Sequence, residues 1–356
     1  MSSIDSRVDT DGLADRLPPR QADRRPGKRG SFLPPRPGRG QLVVERYGLL
    51  VLLIGMIIVF ASLPQSGEAF RSSTNVQALL ANQAVGLVVA LALLFPMAAG
   101  FFDFSVGAVT ASTSVVAATS LSRFGLPLPV SVLLALVSGI LVGVVLGLLV
   151  AKFGMNPFIA TLGMATLLGG AIFAYTDGIQ ITKDIPSTLT DLGSFTWLGV
   201  PRIVLAATII AVIVWFVMDQ TPLGRRLFAI GSNANASRLT GIDVARTQLV
   251  AFTLSGLTAG VAGVLLLARQ GSATSDNGMG MLFPALTAVF LSTIVIDIGR
   301  PSVLGTVIGI LFVAVSVSGL TLAGSPAWVS QVFNGAALLI AVAVAGFGRG
   351  RHHQRH

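Results

Sequence analysis

About ten apolar runs of near-membrane length decide what this chain can fold into. They lie at approximately 47–63, 75–100, 105–122, 128–151, 156–176, 201–218, 248–268, 282–297, 302–323 and 328–347. A helix rises about 1.5 Å per residue, so about 20 residues cross a hydrocarbon core. The expected fold is all-α, a polytopic transmembrane helical bundle over residues 47–347. Composition points the same way: 53% hydrophobic and 11% charged residues, with a mean hydropathy of +0.81, leave no room for a soluble domain. The chain has no cysteine, which removes any disulfide framework and any thiol ligand or nucleophile.

An even number of spans puts both ends on one side, and the basic residues say which. With a cytoplasmic N-terminus, the inside holds ten Lys or Arg of the N-terminal tail, then Lys152, Arg225, Arg226, Arg238, Arg246, Arg300, Arg349, Arg351 and Arg355. The outside keeps Arg71, Arg123, Lys183, Arg202 and Arg269. Even without the tail the balance is nine to five, so the positive-inside rule predicts cytoplasmic N and C termini. The same distribution disposes of nucleic acid as a partner: the pI near 11.3 arises at segment ends, where basic residues orient helices. Residues 1–46, rich in Arg, Asp, Pro and Gly, cannot bury enough apolar surface to offset the entropy of ordering. They are expected to form a disordered basic cytoplasmic tail, and residues 348–356 a second basic tail. Trp197, Trp215 and Trp328 fall near span ends, as interface anchors do.

The run at 75–100 carries Pro96 and Gly100 near its inner end, followed at once by Phe101-Phe102-Asp103-Phe104-Ser105-Val106-Gly107. Proline removes a backbone donor and glycine lowers helix propensity, so the span is expected to break or kink there. Broken helices often border a transport path. Asp103 has two readings: an acid at membrane depth serving function, or a cap for the helix that begins near Ser105. The capping reading is favoured. Asn156-Pro157 reads as a cap followed by proline in the first turn. Gly139, Gly143 and Gly147, four residues apart, predict close helix packing.

Catalysis finds no support. His352, His353 and His356 all lie in the last five residues, and no span holds His, Lys or paired carboxylates at helical spacing. A hydrolase would need a nucleophile with a base, and metal-assisted prenyl transfer would need clustered aspartates. No catalytic residue, metal site or cofactor is expected. GxxxxGK[ST] is absent, so the chain lacks a phosphate loop and any ATP dependence must come from a partner.

Against this apolar background Thr221–Thr247, TPLGRRLFAIGSNANASRLTGIDVART, stands out as polar. Gly231-Ser232-Asn233 supplies a turn and an N-cap, Ala234 to Thr240 is helix-compatible, and Gly241 stands where a left-handed C-cap belongs. Asp243 can cap the next span. A two-turn helix is marginal in water, so either a partner holds it or it is a well-capped connector.

Extended through GLTAGVAGVLLLAR, this stretch resembles the permease subunits of ATP-binding-cassette sugar importers, the ribose and xylose type, within the branched-chain amino acid permease superfamily. ANQAVGLVVALALLFPMAAGFFDFSVGA, NPFIATLGMATLLGGAIFAYTDG and the order of spans carry the same resemblance over about 47–347. The resemblance implies that the loop at 219–247 presents a coupling helix to a cytoplasmic ATPase. Importers of this kind carry Glu-Ala-Ala with Gly four positions after the last Ala; here Asn235-Ala236-Ser237 and Gly241 match in spacing more than in residues. Gly231, Asn233, Ala236 and Gly241 are implied for coupling, with Arg225 and Arg226 as supporting charges. DFSVG matches the usual DLSVG and implies that Asp103, Ser105 and Gly107 stand near the translocation path. The sequence departs from the family pattern after Met281, where LFPALTAVFLSTIVIDIGRPSVLGT has Leu291-Ser292 in place of glycines and Pro284 inside the span. The implied function is import of a small solute, a monosaccharide such as a pentose, across a bacterial cell membrane. The implied partners are an ATP-binding-cassette ATPase, an extracytoplasmic solute-binding protein and a second permease subunit. The alternatives are a branched-chain amino acid or nucleoside permease, and an ion-driven secondary transporter. The last would want acids deep inside spans, and only Asp103 and Asp297, near inner ends, come close.

Overall fold

Apolar runs that cannot leave lipid without satisfying their own backbone become helices. The computed structural model describes residues 39–274, 279–295 and 299–353. Asp297, the N-terminal tail up to residue 38 and the last three residues of the C-terminal tail lie outside the described residues. The helices are α1 (Arg39–Ser62), α2 (Gly67–Arg71), α3 (Ser73–Ala98), α4 (Val106–Ser122), α5 (Leu128–Ala151), α6 (Pro157–Thr176) and α7 (Ser187–Ser194). A short antiparallel hairpin, β1 (Thr196–Trp197) and β2 (Val200–Pro201), leads into α8 (Arg202–Trp215), which ends in a π-helical turn over Phe216–Gln220. Then come α9 (Pro222–Ser232), α10 (Ala234–Leu239), α11 (Val244–Gln270), α12 (Met279–Ser292), α13 (Val303–Leu322) and α14 (Ala327–His353).

Among the described residues, seven helical stretches are long and apolar enough to cross a membrane: α3, α5, α6, α8 with its π turn, α11, α13 and α14 to Val344. Shorter apolar helices at Tyr47–Ser62, Val106–Ser122 and Gly280–Ser292 fill the other three expected positions. Side-chain caps start several helices where the sequence supplies them. The Asn156 side chain accepts from the Phe158 N–H at 2.9 Å, with Pro157 following, and Ser302 accepts from Gly305 at 3.1 Å. The span expected at 282–297 is helical only to Ser292, and Pro284 sits inside it. Two elements beyond the sequence reading, α7 and the hairpin, cover the end of the bundle that holds the α11 C-terminus.

The centre is α3 and α11, with α11 packed on α3, α4 and α5. The α5–α11 seam is backbone to backbone: a Cβ at Gly139 would strike the Gly256 carbonyl, and one at Gly143 the Phe252 carbonyl. The glycine row read as a packing device does that work, because bulk is absent where the helices cross. Fully buried Leu91, Leu94, Ala259 and Leu266 fill the interior, whereas Leu133, Leu141, Ile159, Leu167, Ile209 and Leu339 point outward. An apolar rim around an apolar core is what a lipid solvent permits. At the far end, the Arg269 guanidinium donates to Asn82 Oδ1 at 3.0 Å and to the Gly193 carbonyl at 3.3 Å, tying α11, α3 and α7.

Candidate functional site

Thr221–Thr247 contains two helices where one was expected. Pro222 opens α9 at its first turn, where a missing N–H costs nothing, and Leu227 and Ile230 turn into the core while Arg225 and Arg226 stay exposed. Gly231 therefore lies in the last turn of α9 rather than in a loop turn. The α9 helix had local signals, since Leu223, Leu227 and Ile230 follow an apolar i, i+4, i+7 pattern behind a proline, but the polar average of the stretch hid them.

Asn233 caps α10 from its extended backbone, its Oδ1 accepting from the Ala236 N–H at 3.0 Å. Thr240 closes the helix, and Gly241 follows at φ +83, a left-handed conformation that glycine adopts without a Cβ penalty. Asp243 then caps α11, accepting from the Arg246 N–H at 2.9 Å. In α10 only Ser237 is buried; Asn235, Ala236, Arg238 and Leu239 are exposed. The pair thus presents an exposed, basic unit carrying Arg225, Arg226 and Arg238, with Arg246 exposed in the first turn of α11 beside it. Its inner side is fixed. A Cβ on Gly231 would strike the Ala98 carbonyl at the C-terminus of α3, and one on Gly100 would lie 3.3 Å from the Gly231 Cα. The Arg300 guanidinium, from the turn before α13, sits 4.1 Å over the Phe228 ring.

Beneath this unit α3 runs through Pro96 and stops at Ala98, and Gly100 turns the chain at φ +87. Pro96 falls in the last turn, so it marks an end rather than a mid-helix kink. Asp103 is buried. Its Oδ1 accepts from the Ser105 N–H at 2.9 Å and the Ser105 hydroxyl at 2.5 Å, and its Oδ2 accepts from the Ser255 hydroxyl of α11 at 3.0 Å. The carboxylate thus holds the start of α4 and joins it to α11. Ser105 and Gly107 are buried beside it. Asp103, Ser105 and Gly107 form one cluster, whereas Asn233, Ala236 and Gly241 stand on the exposed unit; Gly231 touches the segment between them. Among the described residues no three His, Cys, Asp or Glu side chains group as metal ligands.

A helical bundle with an apolar rim is the form of a membrane-spanning protein. The family described as branched-chain amino acid transport system / permease component matches residues 75–342, and the chain belongs to it. It is 31% identical over 316 residues to the autoinducer 2 import system permease protein LsrD of Photorhabdus luminescens, covering 87% of this chain and 94% of that protein. It is 30% identical over 306 residues to the ribose import permease protein RbsC of Haemophilus influenzae, covering 85% of this chain and 93% of that one. No solved structure matches the chain significantly. The expected kinship with sugar-importer permeases holds across the membrane region, and the chain is a transport component rather than an enzyme. It is a multi-pass protein of the bacterial cell membrane.

Proposed function

We propose that this chain is the translocating subunit of an ATP-driven importer of a monosaccharide such as a pentose. The observation that carries this reading is the near end-to-end match to a ribose import permease. In this reading the seven long helices and three shorter apolar ones make ten spans, and the nine-to-five Lys and Arg balance outside the tail keeps both termini cytoplasmic. Residues 1–46 and 348–356 flank the permease domain 47–347 on that side, with 39–46 and 348–353 continuing α1 and α14 as helix rather than as disordered tail.

The α9–α10 unit then faces the cytoplasm, where α10 docks in a cleft of an ATP-binding-cassette ATPase. Small exposed Ala236 permits close backbone approach, Asn233 and Gly241 hold the ends of α10, Gly231 seats α9 on α3, and Arg225 and Arg226 add charge for an acidic rim. A second permease copy or paralogue completes the path, and an extracytoplasmic binding protein delivers solute. ATP binding draws the coupling units together and opens the path outward, and hydrolysis resets it. The chain performs no chemistry; it converts partner motion into alternating access. Asp103, Ser105 and Gly107 support the wall of the path near its inner end.

Co-purification with the cognate ATPase tests the docking. Ala236→Trp and Gly241→Pro should each abolish capture and ligand-stimulated hydrolysis; intact capture in both would sink the assignment. A thermal-shift screen of the cognate binding protein against pentoses, hexoses and branched-chain amino acids tests the solute, and stabilisation only by an amino acid would overturn the sugar reading.

A further inference from the structure

Between the exposed α9–α10 unit and the interior lies one short stretch, Gly100–Phe104, and its successive side chains are shared out among different helices. Gly100 lies against the Gly231 backbone at the end of α9. Phe101 stacks on Phe252 of α11, with ring centroids 6.5 Å apart and planes at 27°. Phe102 meets Phe290 of α12 at 5.4 Å. Asp103 is bonded to Ser255 of α11, one turn from Phe252. Phe104 meets Phe158 in the first turn of α6 edge-on, at 5.2 Å and 80°.

We propose that Gly100–Phe104 is the junction through which displacement of α9–α10 reaches α6, α11 and α12 together, with Asp103 as its positioning residue. The inference rests on the coupling reading of α10 and adds the route inward. Three properties make the linker suited to this. It is not helical, so it can pivot without breaking a helical hydrogen-bond ladder. Its input contact is backbone on backbone, without a flexible side chain to absorb movement. Its outputs are rings on three helices, locked in register by a buried carboxylate that receives hydrogen bonds from both sides. A buried carboxylate cannot give up those donors cheaply, so the linker moves with α11 and α4 rather than sliding over them.

The test uses the whole complex of permease, ATPase and binding protein, and reads three quantities separately: ATPase capture, basal hydrolysis, and solute uptake with ligand-stimulated hydrolysis. Asp103→Ala should keep capture and basal hydrolysis while uptake and stimulation fall by about tenfold, the scale of losing its hydrogen bonds to Ser105 and Ser255 together. Asp103→Asn keeps an oxygen for Ser105 and an amide that can donate to the Ser255 hydroxyl, so it should recover much of the loss. Ser255→Ala and Phe104→Leu, milder changes, should each uncouple by about threefold, as for one lost neutral contact. Normal uptake in Asp103→Ala overturns the junction. So does a parallel fall of capture, basal hydrolysis and uptake in Ser255→Ala and Phe104→Leu, which would mean a merely structural role. Failure of the underlying reading has its own signature: Ala236→Trp would then leave capture intact.

Discussion

Replacing Gly231 by Val tests the seat of the α9–α10 unit most sharply, because a side chain there meets only backbone. The new Cβ would overlap the Ala98 carbonyl oxygen and stand 3.1 Å from the Gly100 nitrogen and 3.2 Å from the Ala98 carbonyl carbon. None of these atoms can rotate away, so α9 must retreat by roughly 1 Å or more to regain ordinary contact distance. Overpacking of this kind costs about 1–3 kcal/mol, and the upper end applies where the obstacle is backbone. Val returns only about 0.4 kcal/mol of helix propensity relative to Gly, and less in a last turn. The net of about 2.5 kcal/mol corresponds to a roughly 60-fold shift from seated to displaced α9. Hydrogen exchange of the α9 amides in the detergent-solubilised complex should accelerate by about that factor. Ligand-stimulated hydrolysis should fall with it. Ser232→Ala, an exposed neighbour, should change neither. Wild-type exchange in Gly231→Val would show that α9 does not press on α3, and both the seat and the junction beneath it would fail.

Three further outcomes follow from named contacts. Leu227→Ala removes a fully buried side chain from the core side of α9 and should cost about 2–5 kcal/mol, read as a lowered thermal midpoint of the solubilised permease. Arg300→Ala deletes the cation–π contact with Phe228, worth about 0.5–1 kcal/mol at an exposed site, so stimulated hydrolysis should drop by about two- to fivefold while Arg300→Lys loses less. Arg269→Ala removes the bonds to Asn82 and Gly193 at the other end of the bundle, about 1.5–3 kcal/mol together at most; protease cleavage of the 177–201 segment should quicken without loss of ATPase capture.

The helices were legible because apolar length is a local property: each expected run overlaps a helix, and seven of those helices are long and apolar enough to cross a membrane. Caps were legible for the same reason: Asn233, Gly241, Asp243 and Asn156 act within three residues of themselves. The α9 helix was hidden by averaging, since Arg225 and Arg226 lie between its buried Leu227 and its opening proline. The hairpin before α8 was hidden by brevity; its turn places Leu198 at φ +51 beside Gly199 at φ +82, and a single left-handed leucine leaves little trace in sequence. Tertiary partners were beyond reach. Asp103 and Ser255 are 152 positions apart, and nothing local tells a carboxylate which hydroxyl it will find. The glycines of α5 announced close packing, but only the fold supplies Gly256 and Phe252 of α11 as the other side.

Uptake by proteoliposomes holding the permease and its ATPase bears most directly on whether ATP energy enters through α10. With binding protein outside and ATP inside, a labelled pentose should accumulate, and omission of the ATPase or Ala236→Trp should abolish accumulation. Accumulation driven by a proton or sodium gradient without ATPase, untouched by Ala236→Trp, would contradict it and make the chain a secondary transporter.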